Sequence, residues 1–171
     1  LLDVDHSKIL LNAALETGLP VWVGLSCCDS KFDNSVIGRN FRAEKEKSLI
    51  YDENKYKDQP KYLPEDKIIL LEDIIKSLTS LGGDVYGIMH TWFQDSIGGL
   101  KILKNNWKGP IMFYPEIHKF DTNTHKAIIT MTEEEFSNSI LELIDDQIQI
   151  VGGCCGVNDK HLKRLIQSIS E

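Results

Sequence analysis

Residues 147–156 read Gln147-Ile148-Gln149-Ile150-Val151-Gly152-Gly153-Cys154-Cys155-Gly156, and VNDKHLKRLIQSI follows over 157–169. The run QIQIV is rich in β-branched residues, too short for a helix, and bounded by glycines, so it reads as a strand. Beyond Gly156, the spacing of Leu162, Leu165, Ile166 and Ile169 predicts a helix, with Asn158 placed to cap it. Strand, glycine-rich turn and helix together form the repeating unit of α/β folds.

Outward from this unit the same grammar recurs. The runs 20–26 (PVWVGLS), 84–89 (DVYGIM) and 110–114 (PIMFY) read as three further strands. None of the four alternates cleanly between apolar and polar, which fits parallel strands covered on both faces. Helical periods separate them. Residues 6–17 place Leu10, Ala13 and Ala14 on one face, and Leu71, Ile74, Ile75 and Leu78 repeat at helical spacing. Ile97, Leu100 and Leu103 mark a third helix, while Thr132 and Glu135 form a capping box ahead of Phe136, Ile140, Leu143 and Ile144. The order is a helix and then four strand–helix units, with strands expected to be parallel because each returns through a helix. Two architectures fit: an open doubly wound sheet, or the later half of a (β/α)8 barrel. A whole barrel takes about 250 residues, so a chain of this length with one long loop holds about half. The chain opens Leu1-Leu2-Asp3 without methionine and is read as a fragment.

The 171 residues carry 19 Lys+Arg against 26 Asp+Glu, a net charge of −7, which argues against general nucleic-acid or anionic-membrane binding. No apolar run approaches the roughly 20 residues of a membrane span, and the first residues lack the layout of a signal peptide. The four cysteines form two adjacent pairs, Cys27-Cys28 and Cys154-Cys155. Disulfide frameworks space their cysteines along the chain, so a reducing, cytoplasmic setting is expected. One connection is exceptional. Residues 29–66 are polar and charged, dotted with Phe32, Phe41, Tyr51, Tyr56 and Tyr62. The segment follows a strand, on the face where α/β proteins place their chemistry, and reads as a lid, a partner-binding insertion or a solvated one.

Neighbouring residues of a regular strand point to opposite faces, so Cys154 and Cys155 cannot share a metal unless the backbone leaves strand geometry. The flanking glycines allow that. The same string also fits a glycine-rich turn with two packed cysteines, or a phosphate cradle at a helix N-terminus. If a metal binds, the two thiolates need partners to complete a tetrahedral zinc site. His90, after the strand DVYGIM at the same sheet end, is the best candidate, and His118 the second. His6 and His161 read as exposed helix residues. Cys27 ends a strand, where it lines a pocket or packs beneath the loop. Asp95 caps the next helix or orients a ligand from behind.

These residues resemble a known family, the homocysteine S-methyltransferases, which are zinc-dependent (β/α)8 barrels. Residues 148–156 with Lys160-His161-Leu162 resemble its closing motif, in which the two cysteines bind zinc. Residues 16–23, continuing to Ser26-Cys27, are similar to its fifth strand, and Tyr114-Pro115 resembles part of its seventh. The resemblance implies that residues 1–171 are strands five to eight of one barrel domain, with the long loop at 29–66. It implies Zn2+ held by Cys154 and Cys155, with His90, a competent zinc ligand, standing at the position of the third ligand, and homocysteine as the thiol acceptor. The implied donor is a sulfonium such as S-methylmethionine, with methylfolate or a quaternary ammonium as alternatives, and the product is methionine. Two positions depart from the family: Met89-His90 stands where it has Asn-Cys, and Glu116 where it has asparagine. Glu116, Cys27 and Asp95 are the candidate substrate contacts. In this chemistry the metal deprotonates a coordinated thiol, so no separate base is assigned. Two cysteines, one histidine and zinc sum to neutrality, which predicts a lowered substrate-thiol pKa and a slower chemical step. The competing readings are an enzyme that binds a phosphorylated metabolite at the GGCCG turn, and a relative that keeps zinc without turnover.

Overall fold

Four apolar runs pair into one parallel sheet. The computed structural model describes residues 4–29, 35–38, 69–121, 124 and 126–170. In chain order the elements are α1 (Val4–Leu15), β1 (Trp22–Leu25), β2 (Cys27–Asp29), β3 (Val36–Gly38), α2 (Leu71–Thr79), β4 (Val85–Trp92), α3 (Phe93–Asn106), β5 (Ile111–Glu116), β6 (His118–Asp121), β7 (Lys126–Ile129), α4 (Glu133–Leu141), β8 (Ile148–Val151) and α5 (Asp159–Ser170).

The main sheet runs β1-β4-β5-β8, every neighbour parallel. Its strands follow chain order without a reversal. A doubly wound sheet has a reversal, and its ligand crevice forms there. Right-handed crossovers in sequential order send successive helices to one face, an arrangement consistent with part of a barrel. At the amino end, Val21 N–H donates to Asp84 Oδ2 at 2.7 Å and Asp84 N–H to the Val21 carbonyl at 2.9 Å, which fixes the β1–β4 register.

The four expected strands are parallel, and the structure adds two antiparallel hairpins not expected from the sequence, β2–β3 and β6–β7. Each starts one residue beyond a parallel strand, at the carboxyl end of the sheet. The first uses the opening of the long polar segment, so Cys28 lies in a strand, buried, opposite Ile37. Phe32, Phe41, Tyr51, Tyr56 and Tyr62 lie outside the described residues.

The central strands and α2 make the core. Leu71, Ile74, Ile75 and Leu78 are all buried, as their spacing predicts. A series of edge-on rings continues from the carboxyl end of β4: Phe93 meets Phe113 and Phe136, and Phe136 meets the His161 imidazole at 5.7 Å. The outer helices depart from their predicted faces. On α1 the buried residues are Ser7 and Leu11, while Leu10 is exposed. On α5 they are His161 and Leu165, while Ile166 and Ile169 are exposed. Of the described helices these two stand at the ends of the series, so only part of each apolar stripe is covered. His161 is therefore not the surface residue expected. Its Nε2 lies 3.3 Å from the Met131 carbonyl and its Nδ1 2.9 Å from Asn158 Oδ1. Asn158 caps α5 as predicted, accepting from Lys160 N–H at 3.0 Å, and the Thr132–Glu135 capping box of α4 is complete.

Candidate metal centre

At the carboxyl end of β4 the pairing with β5 slips. Met89 is opposite Tyr114 but Trp92 is opposite Glu116, so β4 carries one extra residue. Such a bulge re-aims side chains. His90 sits in it with φ +49°, a left-handed conformation that costs an ordinary residue roughly 1–2 kcal/mol. Strain of this kind concentrates at functional sites. Thr91, fully buried, pins the bulge: its hydroxyl donates to the Met89 carbonyl and accepts from Cys27 N–H, both at 3.0 Å.

Across β5, the GGCCG turn is held by backbone hydrogen bonds rather than by strand pairing. Gly152 N–H donates to the Phe113 carbonyl at 3.1 Å, Cys154 N–H to Pro115 at 3.0 Å, and Ile117 N–H to Cys155 at 2.9 Å. The strand ends at Val151, as the glycines require. A Cβ on Gly152 would overlap the Tyr114 ring, and Gly156 adopts φ +92°. Both sulfurs consequently lie together, Sγ to Sγ 3.8 Å.

The bulge and the turn converge. Donor atoms of His90, Glu116, Cys154 and Cys155 all lie within 4.8 Å of one another. His90 Nδ1 is 3.6 Å from Cys154 Sγ and 3.5 Å from Glu116 Oε2. The distances test directly whether a zinc ion fits. Tetrahedral bonds of about 2.3 Å to sulfur and about 2.0–2.1 Å to nitrogen or oxygen give edges of about 3.8 Å (S–S), 3.6 Å (S–N) and 3.4 Å (N–O). The observed 3.8, 3.6 and 3.5 Å match each in turn. The donor chemistry fits too. Partial burial raises the Cys155 thiol pKa above its ordinary value, and the neighbouring Cys154 and the Glu116 carboxylate push the same way. A divalent cation at the centre reverses that logic by favouring the deprotonated thiol.

The family model of the homocysteine S-methyltransferases matches residues 70–169, a span that contains all four donors. The chain belongs to that family. Among curated proteins, none matches it. The family makes this chain a methyltransferase whose transfer is directed to homocysteine.

Of the residues singled out from the sequence, His90, Cys154 and Cys155 come together, and Glu116 lies in the same group. Cys27 and Asp95 are outside the group. The Cys27 sulfur is buried, 3.8 Å from the Asp95 carbonyl oxygen, and burial pushes its thiol pKa up to about 12. Asp95 does not cap α3: that position is Trp92, with no side-chain cap, and Asp95 lies in the first helical turn. Thr91 was not legible as a site residue, since a single threonine in a strand carries no pattern of its own. On the open side of the group, the His90 side chain is half exposed and Cys155 is exposed, while Glu116 is buried.

Proposed function

We propose that this chain is the zinc-holding part of an enzyme that moves a methyl group from a sulfonium donor, such as S-methylmethionine, to the thiol of homocysteine, giving methionine. The observation that carries this reading is the match of the His90–Cys154–Cys155 distances to tetrahedral edges, in a chain of the homocysteine S-methyltransferase family. His90, Cys154 and Cys155 would hold the zinc. When bound, zinc acts as a Lewis acid that keeps a substrate thiol in its nucleophilic thiolate form near neutral pH.

The chain's own residues do the positioning. Backbone hydrogen bonds from β5 fix the two cysteines, and Thr91 fixes the bulge that aims His90. The solvent-facing side, at His90 and Cys155, is where thiol and donor enter, and no separate base is needed. Cys27 and Asp95 support the bulge from behind in this reading, through the Cys27 N–H bond to Thr91. A phosphate at the GGCCG turn would face the buried Glu116 carboxylate, which disfavours the phosphate-binding alternative. The sequential parallel order supports taking the sheet as strands five to eight of a (β/α)8 barrel. The arrangement of the cysteines as two adjacent pairs supports a reducing, cytoplasmic setting. No helix among the described residues is long and apolar enough to cross a membrane.

The test is product formation. The full-length protein, loaded with zinc, is incubated with homocysteine and in turn with S-methylmethionine, a methylfolate and a quaternary ammonium donor. Methionine formed from the sulfonium and lost in Cys154→Ser supports the reading. Zinc-loaded protein that makes no methionine from any of the three overturns it in favour of a metal-binding relative without turnover.

A further inference from the structure

We infer that Glu116 is the fourth protein donor to the metal, so that the resting site is closed by two sulfurs, one nitrogen and one oxygen. This rests on the zinc reading above. Three features of the carboxylate support it. Its Oε2 lies 3.5 Å from His90 Nδ1, the spacing expected of nitrogen and oxygen on one tetrahedral ion. It lies in the same cluster as both sulfurs, all four donor atoms within 4.8 Å of one another. Its side chain is only 6% exposed, against 52% for His90. Glu116 is thus the inner wall of the group, facing the solvent-open side.

Rigidity adds to this. Glu116 is the last residue of β5, paired to Trp92 across the bulge, and the next residue donates its backbone N–H to the Cys155 carbonyl. The carboxylate, the imidazole and the thiols are therefore held by one hydrogen-bonded frame, the pre-organisation a metal site needs. The charge balance changes as well. Two thiolates and a neutral imidazole leave a zinc site neutral, and the Glu116 carboxylate gives it one net negative charge. With Glu116 as fourth donor, an incoming substrate sulfur would have to displace a protein donor or expand the shell, so the carboxylate would control thiol binding.

Two readouts test this without any turnover assay. The first is the zinc dissociation constant, measured by competition with a chromophoric chelator for wild type, Glu116→Gln, His90→Ala and Cys154→Ser. The second is the infrared difference spectrum on adding zinc, which shows whether a carboxylate band shifts. A ligand predicts weakening by more than about 100-fold in Glu116→Gln, above the range for a residue that merely touches a ligand. It also predicts a zinc-induced carboxylate shift in wild type that Glu116→Gln abolishes. Should Glu116→Gln fail to fold, Glu116→Leu, which also removes the carboxylate, serves the same comparison. Absence of a Glu116-dependent carboxylate shift overturns the inference, whatever the affinity. If His90→Ala and Cys154→Ser still abolish binding in that case, the three-donor site stands and only Glu116 is misassigned. If wild type binds no zinc, both fall.

Discussion

Cys27 gives the sharpest physical contrast with the cysteines at the turn. Its side chain is 1% exposed, and burial is the dominant reason its pKa rises from 9.0 to about 12. Three units mean that at about pH 8 its thiolate is about 1000-fold scarcer than in an ordinary cysteine. Alkylation by iodoacetamide should therefore leave Cys27 unlabelled in the folded chain, while metal-free Cys155, exposed, reacts. The same shift links to stability, and its sign is fixed. Below pH 9 the thiol is protonated in both states and the contribution is intact. As pH rises from 9 towards 12, the unfolded chain gives up this proton while the folded chain keeps it, and stability falls by about 1.4 kcal/mol per pH unit. Urea unfolding at about pH 8.5 and about pH 10.5 should then show a loss of about 2 kcal/mol in wild type that Cys27→Ala lacks. Equal pH dependence in the two proteins, with Cys27 labelled at a rate within about ten-fold of free cysteine, would refute the reasoning.

Further expectations concern the frame of the site. Thr91→Val leaves the buried Cys27 N–H without its acceptor and should cost about 1–3 kcal/mol in urea unfolding. Zinc affinity should fall by about 10–100-fold, as for a residue that orients a ligand. Gly152→Ala drives a Cβ into the Tyr114 ring; overpacking of this kind costs about 1–3 kcal/mol, and zinc content should drop because the sulfurs move with the turn. Thr132→Ala removes the α4 capping box, and a loss of about 1 kcal/mol with unchanged zinc content should follow. Loss of zinc in Thr132→Ala would mean that general stability, not site geometry, controls the metal.

The sequence and the structure agree where a signal is local. QIQIV followed by GGCCG encodes a strand that must stop and a turn that brings two sulfurs together, and both are observed. Leu71, Ile74, Ile75 and Leu78 encode a buried helix face because α2 meets neighbours over its whole apolar stripe. The outer helices were harder, since partial covering, a tertiary fact, decides which half of a stripe is buried. His161 was misjudged for that reason: its place under Phe136, with the Met131 carbonyl as partner, depends on α4. At the site, His90 and Glu116 read as two separate departures from a family pattern. A one-residue bulge, written nowhere in the apolar spacing, sets their donor atoms 3.5 Å apart. The hairpins are not legible in the sequence because strands of three or four residues leave no periodicity long enough to read.

The most direct measurement is zinc quantification with X-ray absorption on the full-length protein, before and after homocysteine is added. The account predicts one zinc per chain, two sulfur neighbours in the resting protein, and a third sulfur when homocysteine binds. A protein without zinc, or a coordination shell that lacks sulfur or ignores homocysteine, contradicts it.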